Sequence, residues 1–352
     1  MFCREPAELT DRGKAHTVPA FLGNWDRAGP VPKPTIGVIS NPGSTRMRRE
    51  ISRFRKTVAA YPEIDHREIR SIEDLSDILK DFAAREVDLV LINGGDGTVQ
   101  AVISQVIYER PFEKMPVFAA LPGGKTNMTA EALGAFDTAS NHVDDLMEDL
   151  GAGKKMIWRE LPFVRMQISP DTRPIYGTFF GTATLVRGIY FVRKNIYPLG
   201  LPNFLSHMIA FFYLSLVAIS PFKTRRSPMR REKIRVDMGD NKVESRAYLI
   251  LLVTTLDTLI LGLRTASNVG EGPLRLTAID YTAGAVFRAA RTLLFGRSRM
   301  KMVKGLMRRK TAEVLIETTG PVTLDGEMFQ PIEGVPVRLS ASQPFRFLVF
   351  ES

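Results

Sequence analysis

Three short loops and one turn hold the residues best suited to phosphate chemistry in this 352-residue chain. The central loop, Asn93-Gly94-Gly95-Asp96-Gly97-Thr98, lies between an apolar run (Val87 to Ile92) and a stretch with helical spacing of Val99, Val102, Ile103, Val106 and Ile107. Glycines let the main chain approach a ligand closely, so that successive N–H groups converge on anionic oxygens. The N-terminus of the following helix adds a field that favours negative charge. Asp96, among those glycines, is placed to hold Mg²⁺ or to orient an attacking hydroxyl. The competing reading is a tight turn that is glycine-rich for steric reasons alone. Asn41-Pro42-Gly43-Ser44 forms a second loop, and Pro122-Gly123-Gly124-Lys125-Thr126-Asn127 a third. Lys125 is either a point charge for a phosphate or an ordinary exposed lysine. Near the C-terminus, Leu324-Asp325-Gly326-Glu327 offers two acids, although Asp-Gly is also a strong hairpin signal.

The elements around these loops explain their position. Thr35 to Ser40, Val87 to Ile92 and Pro116 to Leu121 read as buried strands, each ending in one of the three loops. Helical stretches follow at Arg46 to Ala60, from Ser71, after Thr98, and at Met128 to Leu133. Ser71 and Asp74 make a near capping box, with Ile72, Leu75, Leu79 and Phe82 along one face. Strand alternating with helix implies a parallel sheet covered on both faces, with ligands at the carboxyl ends of its strands. From Ile157 the pattern changes. Ile157 to Ser169, Tyr176 to Thr184, Lys233 to Met238, Ser245 to Thr255, Leu274 to Asp280, Ala312 to Glu317, Pro321 to Leu324, Val335 to Leu339 and Phe345 to Phe350 read as strands. Helical inserts are expected near 203–220 and 283–309, so this half is mainly antiparallel β.

Bulk properties narrow the setting. Two domains suit this length, at about 100–200 residues each. A net charge of +10 favours acidic partners, namely anionic membranes, nucleic acid or phosphorylated ligands. Cys3 is the single cysteine and the first residues lack an apolar core, which points to a reducing, cytoplasmic setting without a signal peptide. Phe204 to Phe222 is apolar but short for a span, and reads as a buried or membrane-facing helix. Four scattered histidines (His16, His66, His142, His207) suggest neither a zinc site nor a triad. Between residues 288 and 310 lie Arg288, Arg291, Arg297, Arg299, Lys301, Lys304, Arg308, Arg309 and Lys310, interleaved with large apolar residues. Together with segment 223–235 this basic amphipathic stretch suits an anionic membrane surface. No nucleic-acid module or pattern of stacking aromatics accompanies it.

Gly94-Gly95-Asp96-Gly97-Thr98 resembles the GGDGT motif of the diacylglycerol kinase catalytic domain and its relatives, the sphingosine kinases, the NAD kinases and, more distantly, the phosphofructokinases. By itself it leaves lipid kinase and NAD kinase both open. Asn41-Pro42-Gly43-Ser44 is similar to the Asn-Pro-x-(Ser/Gly) nucleotide loop of the lipid kinases, and Asp325-Gly326-Glu327 to their Asp-Gly-Glu motif. No segment of the NAD-kinase type Thr-Pro-Thr-Gly-Ser-Thr-Ala-Tyr is present. The resemblance runs across residues 35–350. Two departures stand out. Lys125 and Met128 take the Thr and Asp places of the family's Gly-Thr-x-Asn-Asp loop, and Gly270-Glu271-Gly272 lacks the acidic pair of a structural Mg²⁺ site.

The resemblance implies an α/β plus mainly-β architecture. Residues 1–34 are a flexible extension. Residues 35–156 are a doubly wound ATP-binding domain of the phosphofructokinase and NAD-kinase kind. Residues 157–352 are an antiparallel β-sandwich lipid-acceptor domain with helical inserts, whose final segment can pack back on the first domain. It implies transfer from ATP, with Mg²⁺, to a lipid hydroxyl. Diacylglycerol giving phosphatidic acid leads; sphingosine, ceramide or another lipid, or a catalytically weak nucleotide- and membrane-binding regulator, are the alternatives. By position Glu327 is the expected general base and Asp96 a metal-organising or base residue. Asn41, Pro42, Gly43, Ser44, Gly94, Gly95, Gly97, Thr98, Gly124, Lys125 and Asn127 are expected at the nucleotide, with Asp96 and Glu271 as metal ligands. The implied partners are a membrane-held lipid and an anionic bilayer met peripherally, with no nucleic acid; a homodimer is left open.

Overall fold

Alternate residues of the first strands are apolar on both faces, so both faces must be covered. The computed structural model describes residues 16–17, 34–183, 186, 233–239, 243–259, 263–265, 269–282, 284–285, 288 and 304–350. Its first half runs β1 (His16–Thr17), β2 (Ile36–Ser40), α1 (Met47–Ala59), β3 (Ile64–Glu68), α2 (Ile72–Ala84), β4 (Leu89–Gly94), α3 (Asp96–Glu109), β5 (Val117–Pro122), α4 (Met128–Ala132), α5 (Ala139–Gly151) and β6 (Ile157–Leu161). Val38, Leu91 and Ala119 face Met47 and Phe54 of α1 and Val143 and Leu146 of α5. Ile39, Val90, Ile92 and Phe118 face Leu75, Leu79 and Phe82 of α2 and Val99, Val102 and Ile103 of α3. Ser71 starts α2 with a complete capping box: its hydroxyl accepts from Asp74 N, and the Asp74 carboxylate accepts from Ser71 N.

The remaining strands are β7 (Val164–Gln167), β8 (Ile175–Gly177), β9 (Phe179–Thr182), β10 (Lys233–Asp237), β11 (Val243–Thr254), β12 (Thr258–Leu259), β13 (Leu263–Arg264), β14 (Leu274–Asp280), β15 (Leu306–Thr311), β16 (Glu313–Glu317), β17 (Val322–Leu324), β18 (Glu327–Phe329), β19 (Val337–Ala341) and β20 (Phe345–Leu348). The first sheet has the order β1-β6-β20-β5-β4-β2-β3. Strands β2 to β5 and β20 are parallel, while β6 is antiparallel to β20 and β1 to β6. The last strand of the chain therefore lies inside the first sheet.

The second sheet has eleven strands and is antiparallel and curled. Its curl comes from β11, which pairs with β10 through residues 243–247 and with β9 through 251–254. A register shift between Tyr248 and Ile250 turns the strand between those two partners, and β14 lies along its other edge. One continuous sheet thus wraps a single core that includes Phe180, Val236, Leu251, Leu276, Ile316, Leu324 and Leu339, where a sandwich of two sheets was expected. The two halves share apolar packing, since Tyr176, Leu252 and Leu256 join the cluster containing α2 and α3.

Three expected elements are corrected. Leu306–Thr311 is a strand paired along its length with β14, so the 283–309 helix does not include its last residues, and Arg308, Arg309 and Lys310 sit on a sheet. Six cross-strand pairs outweigh the modest helix propensity of Met, Arg and Lys there. Ile157 to Ser169 divides at Pro162, which has no N–H to continue a ladder, so that β6 joins one sheet and β7 the other. Tyr176 to Thr184 is interrupted at Thr178, whose N–H points elsewhere. The strand β3 and the helix α5 lacked a recognised apolar period. The expected insert near 203–220, the basic residues of 223–232 and 289–303, and residues 1–34 apart from 16–17 and 34 lie outside the described residues. Among those described, no helix is long and apolar enough to cross a membrane.

Candidate active site

Parallel strands β2, β4 and β5 are neighbours, so the loops after them meet at one edge of the sheet. Thr98, buried in the first turn of α3, ties the first loop to the second: its hydroxyl accepts from Asn41 Nδ2 at 3.0 Å and lies 3.4 Å from Ser44 Oγ. Asn41 N donates to Asn93 O at 2.9 Å, and Asn41 Oδ1 accepts from Gly43 N at 2.9 Å, which sets the shape of the Asn-Pro-Gly-Ser turn. The third loop is joined by Gly123 N donating to Gly94 O at 3.0 Å. Gly95 and Gly124 lie against each other: a β-carbon on Gly124 would come 2.3 Å from Gly95 Cα, so only glycine permits this approach. Asn127, in a left-handed conformation, closes the loop by accepting from Gly124 N at 2.7 Å. Arg46 N and Met47 N, at the start of α1, both donate to Gly123 O.

Asp96 organises the third loop from the second. Its carboxylate accepts from Thr126 Oγ1 at 3.1 Å, Met128 N at 3.0 Å and Thr129 N at 2.9 Å, and so caps the first turn of α4. Its own place at the start of α3 lets the helix field stabilise its charge. Thr126 and Thr129 are neighbours of the site that motif reading passed over. Gly97 faces open space, and the position would accept a β-carbon without contact. Pro42 and Gly43 lie on the outer side of the first loop. Lys125 is partly buried, and burial lowers its pKa.

The Asp-Gly-Glu segment is a hairpin turn and a site element at once. Leu324 pairs with Glu327 across Asp325 and Gly326, whose φ values are 46° and 90°. The Asp325 carboxylate accepts from Thr178 N, Thr178 Oγ1 and Phe179 N at 2.8–3.1 Å, which is where the Thr178 N–H goes instead of into a ladder. Burial and the neighbouring Asp96 charge push the Asp325 carboxyl up to about 7, against the pull of those donors. Asp325 keeps some exposure as a residue although its carboxyl group is enclosed. Burial, and after it the Asp96 charge, also raises Glu131. Glu327 is exposed on β18, and no hydrogen bond or ion pair engages its carboxylate among the described residues.

Asn41, Ser44, Gly94, Gly95, Asp96, Thr98, Gly124 and Asn127 are thus joined in the α/β half, and from the β half the Asp325 carboxyl lies within reach of the Asp96 charge, with Glu327 following it on β18. Glu271 is exposed on the turn into β14, where Gly270 and Gly272 abut Lys310 and Thr311 of β15. Among the described residues no three His, Cys, Asp or Glu side chains gather as a metal site.

A parallel sheet bearing glycine-rich loops, joined to a curled antiparallel sheet bearing an acidic hairpin, defines a mixed α/β class. Residues 35–154 match the family model described as the diacylglycerol kinase catalytic domain. A diacylglycerol kinase of Bacillus subtilis (strain 168) is 38% identical over 61 residues, which are 17% of this chain and 19% of that protein. The match thus spans about a fifth of the curated relative's length. A crystal structure of a diacylglycerol kinase from Bacillus anthracis str. Sterne superposes with a TM-score of 0.58 at 16% identity, covering 90% of this chain and 97% of that one. A second, provisionally assigned diacylglycerol kinase structure from that organism reaches 0.61 at 16% identity, covering 92% and 99%. At that identity the structures establish the fold, which extends over both halves.

Proposed function

We propose that this chain is an ATP-dependent phosphotransferase acting on a lipid hydroxyl, with diacylglycerol converted to phosphatidic acid as the leading reaction. The observation that carries this reading is the joining of three glycine-containing loops around the Asp96 carboxylate, within the segment that matches the diacylglycerol kinase catalytic domain. A binding loop alone needs no such acid.

In this reading the glycine loops and the α3 N-terminus hold the nucleotide phosphates through main-chain N–H groups. The acceptor oxygen forms a bond to the γ-phosphorus while the bond from that phosphorus to the β–γ bridging oxygen breaks, and ADP leaves with its electron pair. Glu327, the hairpin carboxylate with free lone pairs, takes the hydroxyl proton. Such transfers rest mainly on alignment and charge neutralisation. Mg²⁺ fits the donor set in part. Asp96 has oxygen lone pairs beyond its three hydrogen bonds and a second carboxylate nearby, and Mg²⁺ characteristically takes one or two carboxylates plus substrate phosphates. Asp96 is the residue that would hold it, and there it would neutralise phosphate charge.

Because such an acceptor is held in a bilayer, the reading includes a cytoplasmic protein meeting the membrane peripherally. The positive charge of the chain and the basic residues at 223–235 and 288–310 support it, including Arg308, Arg309 and Lys310 on β15. The test is transfer from γ-labelled ATP to a panel of diacylglycerol, ceramide, sphingosine and phosphatidylglycerol in mixed micelles. Label in phosphatidic acid is expected. Label in another lipid would rename the acceptor, and no label in any lipid would overturn the reading. Flotation with anionic vesicles, weakened by salt, is the expected membrane behaviour; equal flotation with neutral vesicles would remove the electrostatic part.

A further inference from the structure

Asp325 lies in the same motif as Glu327 and closer in effect to Asp96, yet its chemistry is different. We propose that Asp325 is a positioning residue that fixes the hairpin bearing Glu327, and is not itself a proton acceptor; this role rests on the kinase reading above.

The fastening is built from both main chain and side chain. Asp325 N donates to Phe179 O at 2.8 Å, while its carboxylate accepts from Phe179 N at 2.8 Å, from Thr178 N at 2.9 and 3.1 Å, and from Thr178 Oγ1 at 3.1 Å. The ladder between β17 and β9 ends at Leu324–Phe180, so these contacts replace the pairs that would have continued it. Gly177 admits the carboxylate: a β-carbon there would lie 2.7 Å from Asp325 Oδ2. Thr178 is held in turn from behind, its carbonyl accepting from Thr254 Oγ1 at 2.7 Å and from Thr255 N at 3.3 Å. The positive φ of Asp325 and Gly326 gives the two-residue turn the twist of a type I′ hairpin, so the direction in which Glu327 leaves is set by where Asp325 is pinned.

Chemistry assigns the two acids separate duties. A carboxylate has about four lone-pair positions. Those of Asp325 are taken up by the three donors of Thr178 and Phe179 in an enclosed setting. Glu327 has its lone pairs free and solvent within reach. Asp325 thus acts through Glu327, and its loss should matter only while Glu327 is present.

A double-mutant cycle tests this. Glu327→Gln should lower turnover by about 10²–10⁴-fold, the usual span for a general base. Asp325→Asn should lower it by about 10²-fold, the scale of a misplacement near 1 Å. The decisive result is the double variant, expected to be no slower than Glu327→Gln alone, with the KM for ATP unchanged in all three. Losses that multiply would overturn the proposal, because a role in stability alone would reduce both backgrounds equally. Thr178→Val, which removes one donor and leaves the fold's apolar packing in place, should give a smaller loss that likewise vanishes in the Glu327→Gln background. Amide hydrogen exchange supplies a readout free of the reaction. Asp325→Asn should speed exchange at Thr178, Phe179 and residues 327–329 while the α/β half keeps its protection. Unchanged exchange there would overturn the pin, whereas faster exchange in Asp325→Asn together with a wild type that labels no lipid would sink only the kinase reading.

Discussion

The glycine-rich loops and the acidic hairpin are held in contrasting ways. Around Asp96 three loops are joined by many separate links: Thr98 to Asn41 and Ser44, Gly123 to Gly94, Asp96 to three donors of the third loop. The acidic hairpin depends on one carboxylate meeting residues 146 and 147 positions away in sequence. A redundant lattice suits phosphate binding, where several weak N–H contacts share the charge. A single long-range fastening suits one acid that must sit in one place. Damage on the first side should therefore appear in affinity or stability as well as turnover, and damage on the second in turnover alone.

The largest effects should separate the two carboxylates. Glu327→Gln is expected to remove about 10²–10⁴ of turnover while leaving the Kd for a non-hydrolysable ATP analogue and the melting temperature as they are. Asp96→Asn should lose a comparable amount of turnover and also about 1–3 kcal/mol of stability, because Met128 N and Thr129 N lose a charged acceptor. Parallel kinetics, calorimetric titration and thermal denaturation check both. If Glu327→Gln weakens nucleotide binding as well, the division of labour between the two sides is wrong.

Gly124→Ala should come next. Its β-carbon would meet the Gly95 main chain at 2.3 Å, with no flexible side chain to yield. Overpacking of this kind costs about 1–3 kcal/mol, and prising the second and third loops apart should weaken nucleotide binding about tenfold or more. Gly97→Ala is the matched control, since that position faces open space. Its stability should stay within about 0.5 kcal/mol of wild type. Equal destabilisation by the two substitutions would show that the Gly95–Gly124 approach is unimportant.

A smaller loss is expected from Thr98→Val, which removes the acceptor for Asn41 Nδ2 and keeps the branched shape. One hydrogen bond is worth about 1 kcal/mol, so the KM for ATP should rise about fivefold with kcat nearly constant. A fall in kcat without a change in KM would place Thr98 on the acceptor side.

What the sequence could reveal follows the same division. Asn41, Asp96, Thr98, Gly124 and Asn127 sit in strand–loop–helix turns whose signals are local, and parallel neighbours must bring such turns to one edge. The acidic hairpin was visible as Asp-Gly between apolar residues, but its anchor was not. Nothing near Thr178 announces that its N–H will serve a carboxylate 147 residues later, and so the strand break there was missed. The sheet position of β20 is likewise set by tertiary packing of Phe345 and Phe347 against Phe118 and Phe163. In β3, Ile64-Asp65-His66-Arg67-Glu68 lacks an apolar alternation because it is the outer strand. Arg308, Arg309 and Lys310 read as helical because long stems and charges fit either state, and only pairing with β14 decides between them.

The subtlest expectation concerns pH. Asp325 titrates at about 7 in the folded protein, raised by burial and by the Asp96 charge, against an ordinary value of 3.8. Below pH 3.8 the carboxyl is protonated in both folded and unfolded chains and contributes no pH dependence. Between 3.8 and about 7 the unfolded chain has released the proton while the folded one retains it, so unfolding gains ground as pH rises. Above about 7 both forms are ionised and the loss is complete. Without added metal, which would change the charge beside Asp96, the melting temperature of the wild type should fall relative to that of Asp325→Asn between pH 5 and pH 8. Asparagine carries no charge to bury, so the variant lacks this component of the slope while sharing every other. Parallel pH profiles for the two proteins would mean that the three donors from Thr178 and Phe179 outweigh burial. Asp325 would then be ionised throughout, and the hairpin would be fastened as firmly, by charged hydrogen bonds, as the loops it faces.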